Sequence, residues 1–250
     1  MIALITPTGA RKGQFELCKQ WMKHQTYTGE VVWIVVDDGV PITIDNGVFR
    51  KDWTIVKIYP RPEWNGNNTQ ARNIKVGVDW IKSNYREHTI EAIFIIEDDD
   101  YYKPIYLERM MSRLGNYSLL GETNTIYYNV QWRRYVTNPN LHHASLFQTA
   151  FTWDAIPLMK ASYSDKFIDA KLWHLCRNKF LFFENFLSLG IKGMPGRGGI
   201  GAGHTLAMTM ANDLGMNFLR KHIGNDAKFY EKYYRDRGIA QHGRFVTKRL

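Results

Sequence analysis

The chain has 250 residues, 44% of them hydrophobic and 14% aromatic, and a formal net charge of +9. That length fits one α/β domain, or one domain with a C-terminal extension. No apolar run approaches the roughly 20 residues of a membrane span. Cys18 and Cys176 stand alone and fit no metal or redox spacing, which points to a reducing, cytoplasmic setting. Met1 leads straight into an apolar run with no basic segment before it, so the start does not read as a signal peptide.

In chain order, residues 2–6 read as a first strand, followed by a turn, Thr6-Pro7-Thr8-Gly9-Ala10-Arg11. Residues 14–25 carry Phe15, Cys18 and Met22 on one stripe with Leu17 and Trp21 beside it, an amphipathic helix. Residues 31–36 form a second buried strand ending in Asp37-Asp38-Gly39, and residues 53–59 a third, closed by Pro60 and Pro62. After a polar loop at 64–69, a helix carries Ala71, Ile74, Val78 and Ile81. Residues 93–96 are a strand, and Pro104 opens another helix.

The second half is less regular. Strands are expected at 126–130 and 146–153, and helices at 166–176, 180–189, 206–222 and 227–237, the last of them basic and aromatic. Between them lies a loop, residues 193–203, with six glycines in eleven residues.

The chemistry concentrates at Ile93–Tyr102, I-F-I-I-E-D-D-D-Y-Y. Four apolar residues suited to a strand covered on both faces run into Glu97, Asp98, Asp99 and Asp100. Adjacent carboxylates repel, so a stable fold must supply a cation or solvate them. Open α/β sheets bind ligands at the carboxyl ends of their strands. The cluster is a candidate divalent-metal site, with a solvated strand end or a structural calcium loop as the alternatives. Alternate strand residues share a face, so either Glu97 with Asp99 or Asp98 with Asp100 would face the ion. Gly196-Arg197-Gly198-Gly199-Ile200-Gly201 matches G-x-G-x-x-G, but it follows no clear strand and has no acid about 20 residues on, so a dinucleotide reading fails. It also lacks the G-K-[S/T] of a phosphate-binding loop.

Several segments, in order, resemble the GT-A fold glycosyltransferases, especially the inverting family-2 type. I-T-P-T-G-A-R resembles that family's opening strand and turn, Val36-Asp37-Asp38-Gly39 its V-D-D-G motif, and Gln70-Ala71-Arg72-Asn73 its A-R-N helix start. Glu97-Asp98-Asp99-Asp100 resembles its D-x-D signature, with Pro104 at the usual spacing, and residues 168–173 its later segment with the catalytic base. Glu97 departs from the first Asp of the signature, and Ile168 from the Glu that precedes the base. The likeness is good over 1–115, patchy to about 205 and absent beyond.

The resemblance implies a mostly parallel GT-A sheet flanked by helices, with a basic C-terminal helical extension. Residues 1–115 would be the nucleotide-sugar half, 116–222 the acceptor half and 223–250 the extension. It implies transfer of a sugar from a nucleotide-diphosphate donor, a UDP-sugar, with Mn²⁺ or Mg²⁺. Asp99, Asp100 and His204 are the implied metal ligands, with Asp169 the base and Asp165 and Asp154 its rivals. Thr6, Pro7, Thr8, Arg11, Asp37, Asp38, Arg72, Asp98 and Arg197 are the implied donor contacts.

Residues 220–250 hold nine Lys/Arg against three acids, interleaved with Phe229, Tyr230, Tyr233 and Tyr234. Cations beside stacking surfaces suit nucleic acid, as does Trp132-Arg133-Arg134-Tyr135. His142, His143, Tyr127, Tyr128 and Trp153 fall in the same acceptor region. The features also resemble bacteriophage glycosyltransferases that modify hydroxymethylated pyrimidines in DNA, which would act in the host cytoplasm. The other expectations are a saccharide, protein or cell-envelope acceptor, a metal-dependent nucleotidyltransferase, and a nucleic-acid-binding module without activity.

Overall fold

A computed structural model of the chain describes residues 1–39, 49–60, 69–196 and 210–235. Every residue of β1 (Ile2–Thr8) and β2 (Val31–Asp37) is buried. That follows from unbroken apolar runs covered by helices on both faces. Between them α1 (Lys12–Lys23) buries Phe15, Leu17, Cys18, Trp21 and Met22. β3 (Trp53–Ile58), α2 (Thr69–Asn84) and β4 (Ala92–Ile95) complete the parallel half. β5 (Tyr101–Tyr102) and α3 (Tyr106–Leu114) follow. These elements match the sequence reading to within two residues at most ends.

Beyond them come β6 (Leu119–Glu122), β7 (Asn124–Asn129), β8 (Arg134–Pro139), β9 (Thr149–Phe151), α4 (Ile156–Ser162) and α5 (Ile168–Leu175). The described chain ends with β10 (Lys179–Phe182), β11 (Ser188–Lys192), β12 (Ala211–Asn212), α6 (Asn217–Ile223) and a 3-10 segment, Gly224–Tyr233. Seven strands form the main sheet in the order β10-β6-β9-β4-β1-β2-β3, and five form a second sheet, β12-β8-β7-β11-β5. In the main sheet only β9 runs antiparallel, pairing with β4 and β6. The expected fold class, a mostly parallel sheet flanked by helices, is the one observed.

Alternation along β1 divides the core. Ile2 and Leu4 pack with Phe15, Trp21 and Trp33 on one face, while Ala3 and Ile5 pack with Ile74, Val78 and Ile81 on the other. No helix among the described residues is long and apolar enough to cross a membrane.

Four expectations in the second half need correction. Residues 146–153 are not one strand: 3-10 turns at Leu146–Gln148 and Trp153–Ala155 flank a three-residue β9. The side chain of Gln148 turns inward to donate to Glu122 at 3.2 Å, and its amide oxygen accepts from Thr125 at 2.6 Å. Residues 180–189 are β10 and the start of β11 rather than a helix, because aromatic-rich segments fit a pleated surface and β6 offers β10 a parallel edge. Of the 206–222 helix, the described part holds β12 and a helix that begins only at Asn217, where Asp213 accepts from Phe218 N at 2.9 Å and Leu219 N at 3.0 Å. The segment expected at 227–237 is helical as far as Tyr233, but as a 3-10 helix, Gly224–Tyr233, rather than an α-helix.

That last segment belongs to the core. Trp21 lies 5.8 Å from the Phe229 ring and 6.5 Å from Tyr230, and Tyr101 donates to Asp226 at 3.1 Å. Of the rings expected to form a stacking surface, Tyr230 is buried and Phe229 and Tyr233 pack against the core, while Lys221, Lys228, Lys232 and Arg235 remain exposed.

Candidate active site

β1 has β2 on one side and β4 on the other, so the chain reverses its direction of growth between β1 and β4. A crevice at the carboxyl ends of the strands is expected at that reversal. The acids of residues 97–100 emerge there. They are not on a strand: β4 stops at Ile95, and the four residues turn. The strand-alternation argument for choosing between the two pairs therefore does not apply.

Instead the turn splits the acids into one and three. Asp98 faces β1, accepting from Thr8 Oγ1 at 2.6 Å and pairing with Arg11 at 3.1 Å. Glu97, Asp99 and Asp100 each offer an oxygen, all within 4.8 Å of one another. Arg11 and Lys192 both reach the cluster. Arg11 reaches Asp99 at 2.6 Å, and Lys192, at the end of β11, reaches Asp100 at 3.0 Å and Asp99 at 3.9 Å. Ile191 N also donates to Asp100 at 2.9 Å.

Electrostatics follow from this crowding. Burial raises Glu97 to about 7, against the pull of Lys192 and with help from Asp99 and Asp169. Burial likewise raises Asp98 to about 6, with Arg11 opposing, and it lifts Asp100 well above the usual carboxylate range. Burial would depress the Lys192 ammonium, yet Asp100, Asp99 and Glu97 hold it above its ordinary value. The same balance, set by Asp99 and Asp98, raises Arg11.

A hard divalent cation fits these residues. Oxygen donors suit Mg²⁺ or Mn²⁺. Three carboxylates converge, and the second oxygen of Asp100 is buried without a hydrogen-bond partner.

The other expected donor contacts gather unevenly around this turn. Asp37 and Asp38 end β2 beside it; Asp37 accepts from Gly39 N at 2.9 Å, and Asp38 N donates to Thr8 O at 3.1 Å. A Cβ on Gly39 would lie 2.2 Å from Ala10 N, so these two turns touch only because residue 39 is a glycine. Arg72 is half-buried in the first turn of α2. Its neighbour Asn73 donates to Thr8 O at 3.2 Å and Val36 O at 3.5 Å, bracing the ends of β1 and β2. Thr6 and Pro7 lie apart, within the buried sheet, where the Thr6 hydroxyl accepts from the Trp33 indole at 2.9 Å. Arg197 and His204 lie outside the described residues. The start of their loop does not: Gln14 donates to Pro195 O, which brings residues 193–196 against α1 near Arg11.

Asp169 occupies the first turn of α5, with Ala170 N donating to it at 2.9 Å. Burial raises its pKa, opposed by that bond and by His143. Its charge acts on Glu97 and on Tyr127, whose hydroxyl is 2.8 Å from Ser145 Oγ. Asp169 thus shares the electrostatic surroundings of the acid turn. The rival Asp154 does not: with His88 and Glu91 it lines an open 360 Å³ cavity, and Glu91 directly precedes β4, at the opposite end of that strand. Asp165 accepts from Phe167 N at 3.2 Å in the loop before α5.

In the stretch 132–135, Arg133 and Tyr135 pack within the fold. Arg133 lies 4.1 Å over the Tyr234 ring, and Tyr135 stacks on Phe218 at 3.5 Å. His143 lies within 3.0 Å of the Asn140 amide. Two residues were missed in the sequence. Lys192 closes the apolar run 187–191, and a lysine ending a buried strand was the available signal. Glu122 had none. It sits fully buried where the two sheets meet, accepting from Leu187 N at 3.0 Å, Gln148 at 3.2 Å and Ser188 at 3.5 Å.

No family model and no curated protein matches the chain. Solved structures do. S. aureus TarS aligns with 76% of this chain at 13% identity and a TM-score of 0.51. TarS 1-349 in complex with UDP aligns at 11% identity and a TM-score of 0.53, and its complex with UDP-GlcNAc at 11% and 0.52, covering 76% and 79% of this chain. The chain spans only 36% of the TarS structure and 60% of the shorter one. At such identities the likeness is one of fold, and the shared fold is the mostly parallel α/β sheet flanked by helices expected from the sequence.

Proposed function

We propose that this chain transfers a sugar from a UDP-sugar to an acceptor hydroxyl, with inversion, using a divalent cation. The observation that carries the reading is the acid turn at the β1–β4 reversal, in a fold shared with a protein solved with UDP and UDP-GlcNAc. Residues 1–115 would hold the nucleotide sugar and residues 116–222 the acceptor. Thr8, Arg11, Asp37, Asp38, Arg72 and Asp98 would surround the nucleotide, with Thr6 and Pro7 shaping the sheet beneath it. Glu97, Asp99 and Asp100 would hold Mg²⁺ or Mn²⁺, with His204 a further ligand and Arg197 a contact to the diphosphate. A bound divalent cation supplies charge to stabilise the departing diphosphate.

In the reaction the acceptor oxygen bonds to the anomeric carbon as the bond to the diphosphate oxygen breaks. The acceptor proton passes to Asp169, whose pKa, raised by burial, suits a general base. The products are UDP and the inverted glycoside.

For the acceptor we favour a hydroxymethylated pyrimidine in phage DNA. Exposed Lys221, Lys228, Lys232 and Arg235 support contact with a phosphate backbone. With Phe229 and Tyr230 packed inward, that contact would be electrostatic rather than stacked, and hence steeply salt-dependent. The test is to supply UDP-sugars, Mn²⁺ and hydroxymethylated duplex DNA, and to follow both UDP release and labelled DNA. UDP release with sugar on the DNA is the expected result. Transfer only to saccharide, protein or envelope acceptors overturns the DNA assignment. Pyrophosphate in place of UDP overturns glycosyl transfer in favour of nucleotidyl transfer.

A further inference from the structure

Lys192 has no place in the expected motifs, yet its ammonium pairs with Asp100. Its side chain is 5% exposed, its Nζ is 3.0 Å from Asp100 Oδ1 and 3.9 Å from Asp99 Oδ2, and the Tyr127 and Phe147 rings lie 5.7 and 5.9 Å from it. The backbone locks the arrangement. Val130 N donates to Lys192 O at 2.9 Å, and Ile191 N bonds the same Asp100 oxygen that the ammonium does. Lys192 is thus fixed against two carboxylates, and among the described residues the other Asp100 oxygen is buried without a hydrogen-bond partner.

A cation held this way acts twice. It makes the acid turn tolerable in a fold with no ion bound, since buried carboxylates without a counter-charge are strongly destabilising. It also opposes a second cation at the same oxygens, because like charges a few ångströms apart in a buried site repel strongly. A nucleotide diphosphate brings negative oxygens that offset this repulsion.

We infer that Lys192 is a positioning residue that acts as a resident counter-ion to Asp99 and Asp100, weakening divalent-cation binding to the free protein and coupling it to nucleotide diphosphate. The inference rests on the metal site proposed above. Linkage makes the coupling reciprocal: UDP tightens Mn²⁺ by the same factor as Mn²⁺ tightens UDP. Removing the charge frees Asp100 of its cation while Arg11 still pairs with Asp98 and Asp99, so the free protein should bind Mn²⁺ more tightly and depend less on UDP.

The test is calorimetric titration of Mn²⁺ into wild type, Lys192→Met, Lys192→Gln and Lys192→Arg, each with and without UDP, alongside melting curves. Gln can still donate a hydrogen bond to Asp100 and guards against loss of the fold. The neutral variants should bind Mn²⁺ roughly tenfold more tightly than wild type without UDP, with the UDP enhancement reduced by a similar factor. Lys192→Arg should resemble wild type. A neutral variant that is folded only when Mn²⁺ is present supports the inference equally, since ligand binding raises stability by mass action. Equal Mn²⁺ affinity in wild type and neutral variants, or neutral variants that Mn²⁺ fails to restore, overturns it. Absence of Mn²⁺ binding to every protein, with or without UDP, overturns the metal site itself and this inference with it.

Discussion

Two groups of buried carboxylates in this chain are built in opposite ways. The acid turn of residues 97–100 lies at the ligand edge of the main sheet and is balanced by full charges, Arg11 and Lys192. Glu122 lies at the seam of the two sheets and is met by neutral donors, Leu187 N, Gln148 and Ser188. Burial raises Glu97 and Glu122 alike, to about 7. The difference is in what a ligand can do. Ionised neighbours can be exchanged for other ions, so the turn suits a metal and a diphosphate. Neutral donors from the backbone and side chains of the seam offer no ion to exchange, so Glu122 serves the junction of the sheets.

The largest expected effect would break the comparison at the ligand edge. Replacing Asp99 and Asp100 together by Asn should lower sugar transfer roughly a thousandfold or more while the protein stays folded. Full transfer with intact melting behaviour would show that the turn is only another structural cluster.

Next comes the base. Asp169→Asn should reduce kcat by roughly 10²- to 10⁴-fold with little change in UDP affinity. Because burial raises the Asp169 carboxyl, and the base acts when deprotonated, the ascending limb of the wild-type pH profile should lie above the ordinary carboxylate range. A variant profile that keeps this limb would assign the limb to another group.

The smallest effect sharpens the seam. Glu122 has a pKa of about 7 folded against an ordinary 4.5, so folding favours its protonated form. That contribution is whole below about pH 4.5 and is lost as pH rises through 7. Glu122→Gln removes the ionisation, so at pH 8 it should exceed wild type in unfolding free energy by on the order of 2–3 kcal/mol, with no gain at pH 4. Chemical denaturation at the two pH values checks this. A uniform loss of stability would mean that the carboxylate, not its proton, is what the seam requires.

Much of the first 115 residues was legible in the sequence. Unbroken Ile/Val runs and a 3.6-residue apolar period are local signals, and β1, α1, β2, α2 and β4 obey them. The second half misled where aromatic residues satisfy either period, as at 180–189, and where a buried side chain, such as that of Gln148, overrode the local pattern. The aromatic C-terminal stretch misled differently: its rings were visible, but whether they faced Trp21 or solvent was not.

By itself the sequence determined that four acids would follow a buried strand and that they would need counter-charge, because apolar runs and adjacent like charges act over a few residues. Tertiary structure alone decided how that need is met. The acids turn off the strand, so Asp98 goes to Thr8 and Arg11 while Glu97, Asp99 and Asp100 converge. Their second cation comes from Lys192, which stands 92 positions along the chain from Asp100 and is brought there by a strand of a different sheet. Coulombic pairing depends on distance in space, and no local pattern encodes a partner that far away.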